Sequence, residues 1–283
     1  MNFPPVAASL LAGAFGLIFG SFLNVCISRL PQGKSIVKPR SFCPQCSTPI
    51  AWYDNIPVLS YLLLRGRCRA CGKSISAMYP TVEVLTALLW MAAWHQQGAT
   101  PEFLKLVTFG MLMIVLFFTD LNERKIPHKV TIFGIVAGIT FSLLVPLDDP
   151  FSSWLFDRLG MDVNTPAASL AASLAGAVFG GGLLYAVAKA FQFFGNRDKE
   201  YLGFGDVMMM MLTGVFLGLP LTYVTLLMGS LLGTLVAVPL TLARPKFREY
   251  QWPYGCFLGA GALFASFEGA RLMEQYVQWM HLN

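Results

Sequence analysis

Two groups of residues in this chain are of the types and spacing that do chemistry. The first is a pair of aspartates, Asp120 and Asp206. Asp120 closes the apolar run Met111 to Thr119, and Asp206 stands in Gly203-Phe204-Gly205-Asp206 at the head of another apolar run. Two carboxylates brought together share a proton and activate a water between them, which is how an aspartic protease cleaves a peptide bond. The second group is Cys43-Pro-Gln-Cys46 and Cys68-Arg-Ala-Cys71, two C-x-x-C knuckles. Zinc is the natural ligand of such a set, because each knuckle presents two sulfurs and four thiolates close a tetrahedron. A redox dithiol or an iron site is the other reading of these spacings. Four sulfur ligands leave no open position for a substrate water, so the metal is expected to be structural. Gly72 allows the close backbone approach that a knuckle turn needs.

The elements that must position these groups follow from composition. Of 283 residues, 55% are hydrophobic and only 12% charged, against about a quarter charged in soluble domains. Fifteen acidic and 20 basic residues cannot cover a core of this size with a polar skin, so the bilayer is the expected solvent. Apolar runs predict eight spans, at about 5 to 27, 79 to 95, 102 to 120, 130 to 147, 167 to 194, 205 to 219, 221 to 243 and 254 to 271. The first has no basic region ahead of it and reads as a retained helix rather than a cleaved signal. The expected fold is an all-α integral membrane protein of about eight transmembrane helices, with the four-cysteine segment between the first and second. Its parts are a first helix over 1–28, a zinc-binding segment over 29–77, and a seven-helix bundle over 78–283 that carries the aspartates.

Lys and Arg give the orientation. Counted on alternate sides of eight spans, 17 of the 20 fall on one side, including all those in 29–77. That side is expected to be cytoplasmic, with both termini and the acidic 148 to 166 loop outside. The net charge of +5 is therefore read as an address, and no nucleic-acid partner is expected. Both aspartates fall at the cytoplasmic ends of their helices.

The remaining ionisable residues within spans each carry an ordinary reading. Lys105, Lys189 and Glu268 lie near span ends and are expected to snorkel to the interface. Glu83, after Tyr79-Pro80, is either a helix-start charge stabilised by the dipole or a binding residue. Cys26 and Cys256 read as packing thiols. Asp206 opens a helix and Asp120 closes one, so the dipoles predict that Asp206 keeps the charge and Asp120 carries the proton. Gly203 and Gly205 are expected to allow a turn that a side chain would block and to let an extended substrate strand approach.

These residues together resemble the type IV prepilin peptidases. The resemblance rests on Gly20-Ser21-Phe22-Leu23-Asn24-Val25 with Arg29-Leu30-Pro31, the two cysteine pairs, and Trp52-Tyr53-Asp54-Asn55-Ile56-Pro57. Tyr79-Pro80 with Glu83, and Gly203-Phe204-Gly205-Asp206, complete it. It implies a bifunctional enzyme of the bacterial inner membrane. Such an enzyme cleaves the leaders of prepilins and secretion pseudopilins, after a Gly at the cytoplasmic face, and then methylates the new α-amine from S-adenosylmethionine. It implies Asp120 and Asp206 as the catalytic pair, Asp120 being the Asp that precedes Ile126-Pro127. Two departures stand out: Met208 where the family usually has Lys, and Tyr254-Gly255-Cys256 where it has Phe-Gly-Pro. Neither is expected to touch the pair. No Gly-rich nucleotide fingerprint is present for the methyl donor, which is expected between the zinc segment and the bundle with Glu83 as a contact. The competing class is a non-enzymatic transporter or scaffold, whose zinc segment docks a partner and whose aspartates bind protons or cations.

Overall fold

The computed structural model describes residues 5–147, 165–194, 202–244, 247, 250 and 252–282. Most of the expected acidic 148 to 166 loop lies outside the described residues, as do Arg197, Lys199, Lys246 and Arg248 of the charge count. The described residues are helical, with two isolated β-bridges and no extended strand. The helices are α1 (Pro5–Arg29), α2 (Leu59–Leu63), α3 (Met78–Gln97), α4 (Pro101–Glu123), α5 (His128–Leu144), α6 (Pro166–Phe194), α7 (Phe204–Ala243) and α8 (Tyr254–Leu282). Among the described residues, four helical stretches are long and apolar enough to cross a membrane: Val6–Gln32, Pro101–Glu123, Pro166–Phe194 and Phe204–Ala243. Large apolar side chains such as Leu10, Ile18, Val136 and Val178 stand exposed along these helices and the shorter α5. This is the pattern of helices whose outer faces meet lipid.

The chain divides into two compact units between Val115 and Leu116, inside α4. This division follows packing, whereas the expected segments were drawn from polarity. In the first unit α1 lies against α3 at two glycines. A Cβ on Gly16 would come within 2.7 Å of the Ala87 Cα, and one on Gly20 within 2.7 Å of the Glu83 Cα. Trp90 fills the same interface, stacked on Phe19 at 5.0 Å and edge-on to Phe103 at 5.5 Å. α1 ends where Gly33, at φ 69°, turns its N–H back to the Leu30 carbonyl.

The second unit contains α5 to α8 with the last turns of α4. Its tightest contact is between α6 and α7, where a Cβ on Gly214 would collide with the backbone of Gly176. α7 is not one straight rod. Gly218 has φ 73° and ψ −179°, followed by Pro220. Gly180 of α6 meets Met210 on one side of this break and Thr222 on the other. The chain therefore folds back at Gly218 into two antiparallel helices, at the place where the sequence separates the spans 205 to 219 and 221 to 243. Gly261 of α8 then packs on Thr225 and Gly229 of the second arm. Counting this hairpin as two, a helix occupies each of the eight expected positions.

Candidate active site and metal centre

Asp120 and Asp206 both belong to the second unit. Asp120 lies one turn from the end of α4 and is 6% exposed, while Asp206 is half-buried in the first turn of α7. Their surroundings converge on one residue, Ile126, in the connection between α4 and α5. A Cβ on Gly205, beside Asp206, would lie 2.7 Å from the Ile126 Cβ. A Cβ on Gly255 would lie 3.0 Å from the Ile126 Cδ1 and 2.9 Å from the Asp120 Oδ2. The two carboxylates gathered this way lie within electrostatic reach of each other. Gly205 is thus required by a close approach inside the protein. Neither it nor Gly203 has a left-handed φ, so no strained turn accounts for them.

The Cys256 N–H donates to the Asp120 Oδ2 at 3.1 Å. This corrects the expectation that neither departure touches the aspartates, since Cys256 is one of the two. Cys256 is the third residue of α8, where N–H groups have no partner within their own helix. Its side chain is buried and its Sγ donates to the Phe117 carbonyl at 3.2 Å, so the thiol does pack as expected. Met208, the other departure, is half-buried. No short-range pattern in the sequence points to the Cys256 contact, which spans 136 residues.

The cysteine knuckles share one construction. The Cys43 carbonyl accepts from Ser47 N–H at 2.8 Å, and the Cys43 N–H donates to the Thr48 carbonyl at 2.9 Å. Cys68 makes the equivalent pair with Gly72 and Lys73, both at 2.8 Å. The fifth residue of each loop is left-handed, Ser47 at φ 58° and Gly72 at φ 69°. Gly72 was legible in the sequence and Ser47 was not. The four Sγ atoms lie within 4.8 Å of one another, which suits the donor set and near-tetrahedral grouping of a Zn(Cys)4 site. The Thr48 hydroxyl and N–H beside Cys46 hold its thiol down at about 6, and backbone N–H groups of Cys71 and Ala70 pull the Cys68 thiol down. Both shifts favour the thiolates that a metal takes, whereas burial and the neighbouring thiols push Cys71 up to about 11. Arg69, inside the second knuckle, forms a two-pronged ion pair with Asp54, with Nη2 to Oδ1 at 2.7 Å and Nε to Oδ2 at 2.8 Å. This joins the Trp52-Tyr53-Asp54-Asn55 turn to the second cysteine loop and holds the Asp54 carboxyl below its usual range.

Glu83 is buried at 7% exposure in the second turn of α3, so the helix-start reading does not describe it. Its Oε2 accepts the Val58 N–H at 2.7 Å, and the Ser21 side chain of α1 also bonds to it. Val58 has φ 59° and ψ −47°, and Leu59 N–H reaches the Pro57 carbonyl at 2.5 Å across it. This is a γ-turn centred on a β-branched residue, a costly backbone conformation that marks functional positions. One helical turn from Glu83, the Asn24 Nδ2 donates to the Tyr79 carbonyl at 3.0 Å, and its Oδ1 is buried with no hydrogen-bond partner. The charges near helix ends are less constrained. Glu268 is exposed, 3.7 Å from Arg271, and Lys189 is exposed beside Gln192 and Tyr185.

Comparison with known proteins places the whole arrangement. The bacterial peptidase A24 N-terminal domain matches residues 14–97, and the type IV leader peptidase family matches residues 107–238. The chain belongs to the type IV leader peptidase family. The first match contains the four cysteines, Asn24 and Glu83; the second contains both aspartates. The family match ends before α8, and so before the Cys256 contact. Three relatives carry the name prepilin leader peptidase/N-methyltransferase. The one from Myxococcus xanthus is 39% identical over 82% of this chain and 62% of its own length. Those from Aeromonas salmonicida and Bacillus subtilis are each 30% identical over 93% of this chain, and over 91% and 96% of their own lengths. No solved structure matches the chain.

Proposed function

We propose that this leader peptidase cleaves prepilins and pseudopilins at the cytoplasmic face of the bacterial inner membrane and then methylates the new N-terminal amine. The observation that carries the reading is the gathering of Asp120 and Asp206 around Ile126, inside the segment matched by the family. Eight spans with both termini outside put both carboxylates on the side that holds 17 of the 20 basic residues. A substrate with an apolar segment in the bilayer and a basic leader in the cytoplasm delivers its scissile bond to that same interface. There the pair activates a water for attack on the carbonyl carbon, and a protonated carboxyl polarises the carbonyl oxygen. The departing amine takes up a proton as the C–N bond breaks. Interfacial water supplies the nucleophile, so no dedicated channel is needed. A substrate strand entering here would pass the exposed Gly203 and its neighbour Gly205.

Zinc bound by Cys43, Cys46, Cys68 and Cys71 is structural in this reading, holding a segment too small for a core of its own. S-adenosylmethionine supplies the methyl group when bound. The orphaned Asn24 Oδ1 and the Glu83 carboxylate are two buried acceptors on one face of the α1 and α3 pair, suited to the cationic and hydroxyl groups of that donor. Ser21 and the Val58 turn keep the Glu83 carboxylate oriented. The transporter alternative is disfavoured because a transport site is expected near the midplane rather than at helix ends.

The test is mass spectrometry of a prepilin product's N-terminus, with and without S-adenosylmethionine, using purified protein in detergent. A cleaved product that is methylated only with the donor is expected. Asp120→Asn and Asp206→Asn should each abolish cleavage, and full cleavage by either would remove the pair from the mechanism.

A further inference from the structure

Helix ends differ from the expected division of labour between the aspartates. Asp120 does end its own helix, but its carboxylate faces the start of another. The Cys256 N–H is shared between the Asp120 Oδ2 at 3.1 Å and the Pro253 carbonyl at 3.2 Å, with the carboxylate oxygen the nearer acceptor. Gly255 leaves the space for that approach, since a Cβ there would lie 2.9 Å from the same oxygen. Asp206, at the start of α7, donates its N–H to the Gly203 carbonyl at 3.0 Å, and the Gly203 N–H in turn bonds to the Asp206 carboxylate. Asp120 therefore collects more anion-favouring contacts, from the Cys256 and Gly255 N–H groups and Arg124, than Asp206 does from the single Gly203 N–H. The charged and titratable groups facing Asp120 are Asp206 from α7, the Cys256 thiol from α8, and Arg124 one turn along its own chain. Arg124 adds attraction for a negative Asp120, and its guanidinium is held over the Tyr250 ring at 4.5 Å.

We propose that the N-terminus of α8, through the Cys256 N–H, fixes Asp120 as the ionised member of the pair and leaves the shared proton on Asp206. This rests on the aspartic-protease reading and reverses the roles that the parent helices imply. Asp120 takes a proton from the attacking water while the water oxygen bonds to the carbonyl carbon. Asp206 gives its proton to the carbonyl oxygen, forming a neutral gem-diol. The C–N bond then breaks as Asp120 returns its proton to the nitrogen and Asp206 recovers one from a diol hydroxyl. Both carboxyls end as they began. Cys256 is a positioning residue here, acting first through its backbone N–H and second through its thiol.

The pH profile of kcat/KM for prepilin cleavage tests this. Cys256→Pro removes the N–H at a first-turn position that tolerates proline, and Cys256→Ala keeps it. The acid limb, which reports protonation of the base, should move up by about one pH unit in Cys256→Pro, a tenfold change in that equilibrium. Cys256→Ala removes only the thiol, which also bonds to Asp120, so its acid limb should move by clearly less than in Cys256→Pro. An unmoved limb in Cys256→Pro, or an equal shift in Cys256→Ala, overturns the proposal. A second measurement does not depend on the proline variant folding. With carboxyl-13C aspartate, Asp120 in Asp206→Asn protein should ionise at lower pH than Asp206 in Asp120→Asn protein, and the reverse order is equally fatal. Cleavage that survives either Asn variant would instead sink the underlying aspartic reading, so the two failures are distinguishable.

Discussion

The four-cysteine segment and the aspartate site each depend on a few polar residues, but they are held in place by opposite means. Within 29–77 only Cys43 and Ser60 are buried among the described residues. Order there comes from turn hydrogen bonds, the Asp54–Arg69 pair and the clustered sulfurs. Around the aspartates, Thr119, Asp120, Val207, Met209, Met210, Gly255 and Cys256 are all buried, and helices meet at bare glycines. A segment without a core depends on whatever joins its four clustered sulfurs, whereas a packed site needs only that nothing be added to it. Each region should therefore fail to the perturbation the other survives.

The largest effect is expected from Gly214→Leu. Its side chain would enter the Gly176 backbone, so the second unit should not assemble, and thermal denaturation in detergent should show no cooperative transition. A folded Gly214→Leu protein would show that the glycine contact does not hold α6 to α7. Next comes removal of metal. A strong chelator, or Cys43→Ser, should speed tryptic cutting within 29–77 by tenfold or more while leaving the melting of α5 to α8 within a few degrees. Melting of both together would erase the contrast. Gly205→Ala is expected to lower cleavage about tenfold by pushing on Ile126, with Ile126→Ala restoring part of the loss in a double-mutant cycle. Additive losses would mean that the two residues do not act through one contact.

The smallest effect is that of Asp54→Asn. The Asp54 carboxyl is depressed by its bond to Arg69, so its contribution is present above about pH 4 and lost as pH falls through the folded value. Arg69 is 59% exposed, so solvent screens the pair and its loss should matter little. Zinc release should speed up only a few-fold, equally at pH 6 and pH 8. A strong dependence within that interval would point to another titrating group.

Much of this was legible in the residues themselves. Helix positions followed from apolar runs, and the gathering of the four cysteines from their spacing alone. Even the fold-back at Gly218 was foreshadowed, because Pro220 interrupts a run too long for one span. The contacts that tune chemistry were not legible. Cys256 reaches Asp120 across 136 residues through a backbone atom, which no side-chain pattern encodes. Ile126 appeared only as part of a family motif, and its place between Gly205 and Gly255 depends on three helices meeting. The Val58 turn goes against local preference, since a β-branched residue rarely takes a left-handed φ.

The reversal at Gly218 has one more consequence. The arm that carries Asp206 runs only from Phe204 to the turn, about 14 residues that rise about 21 Å. A hydrocarbon layer of about 30 Å exceeds that height, so lipid beside this wall must thin or let headgroups sink. The Asp206 carboxylate then need not climb out to bulk water. The short wall draws the wet boundary of the bilayer down to it, and prepilin cleavage should slow in bilayers of longer-chain lipid.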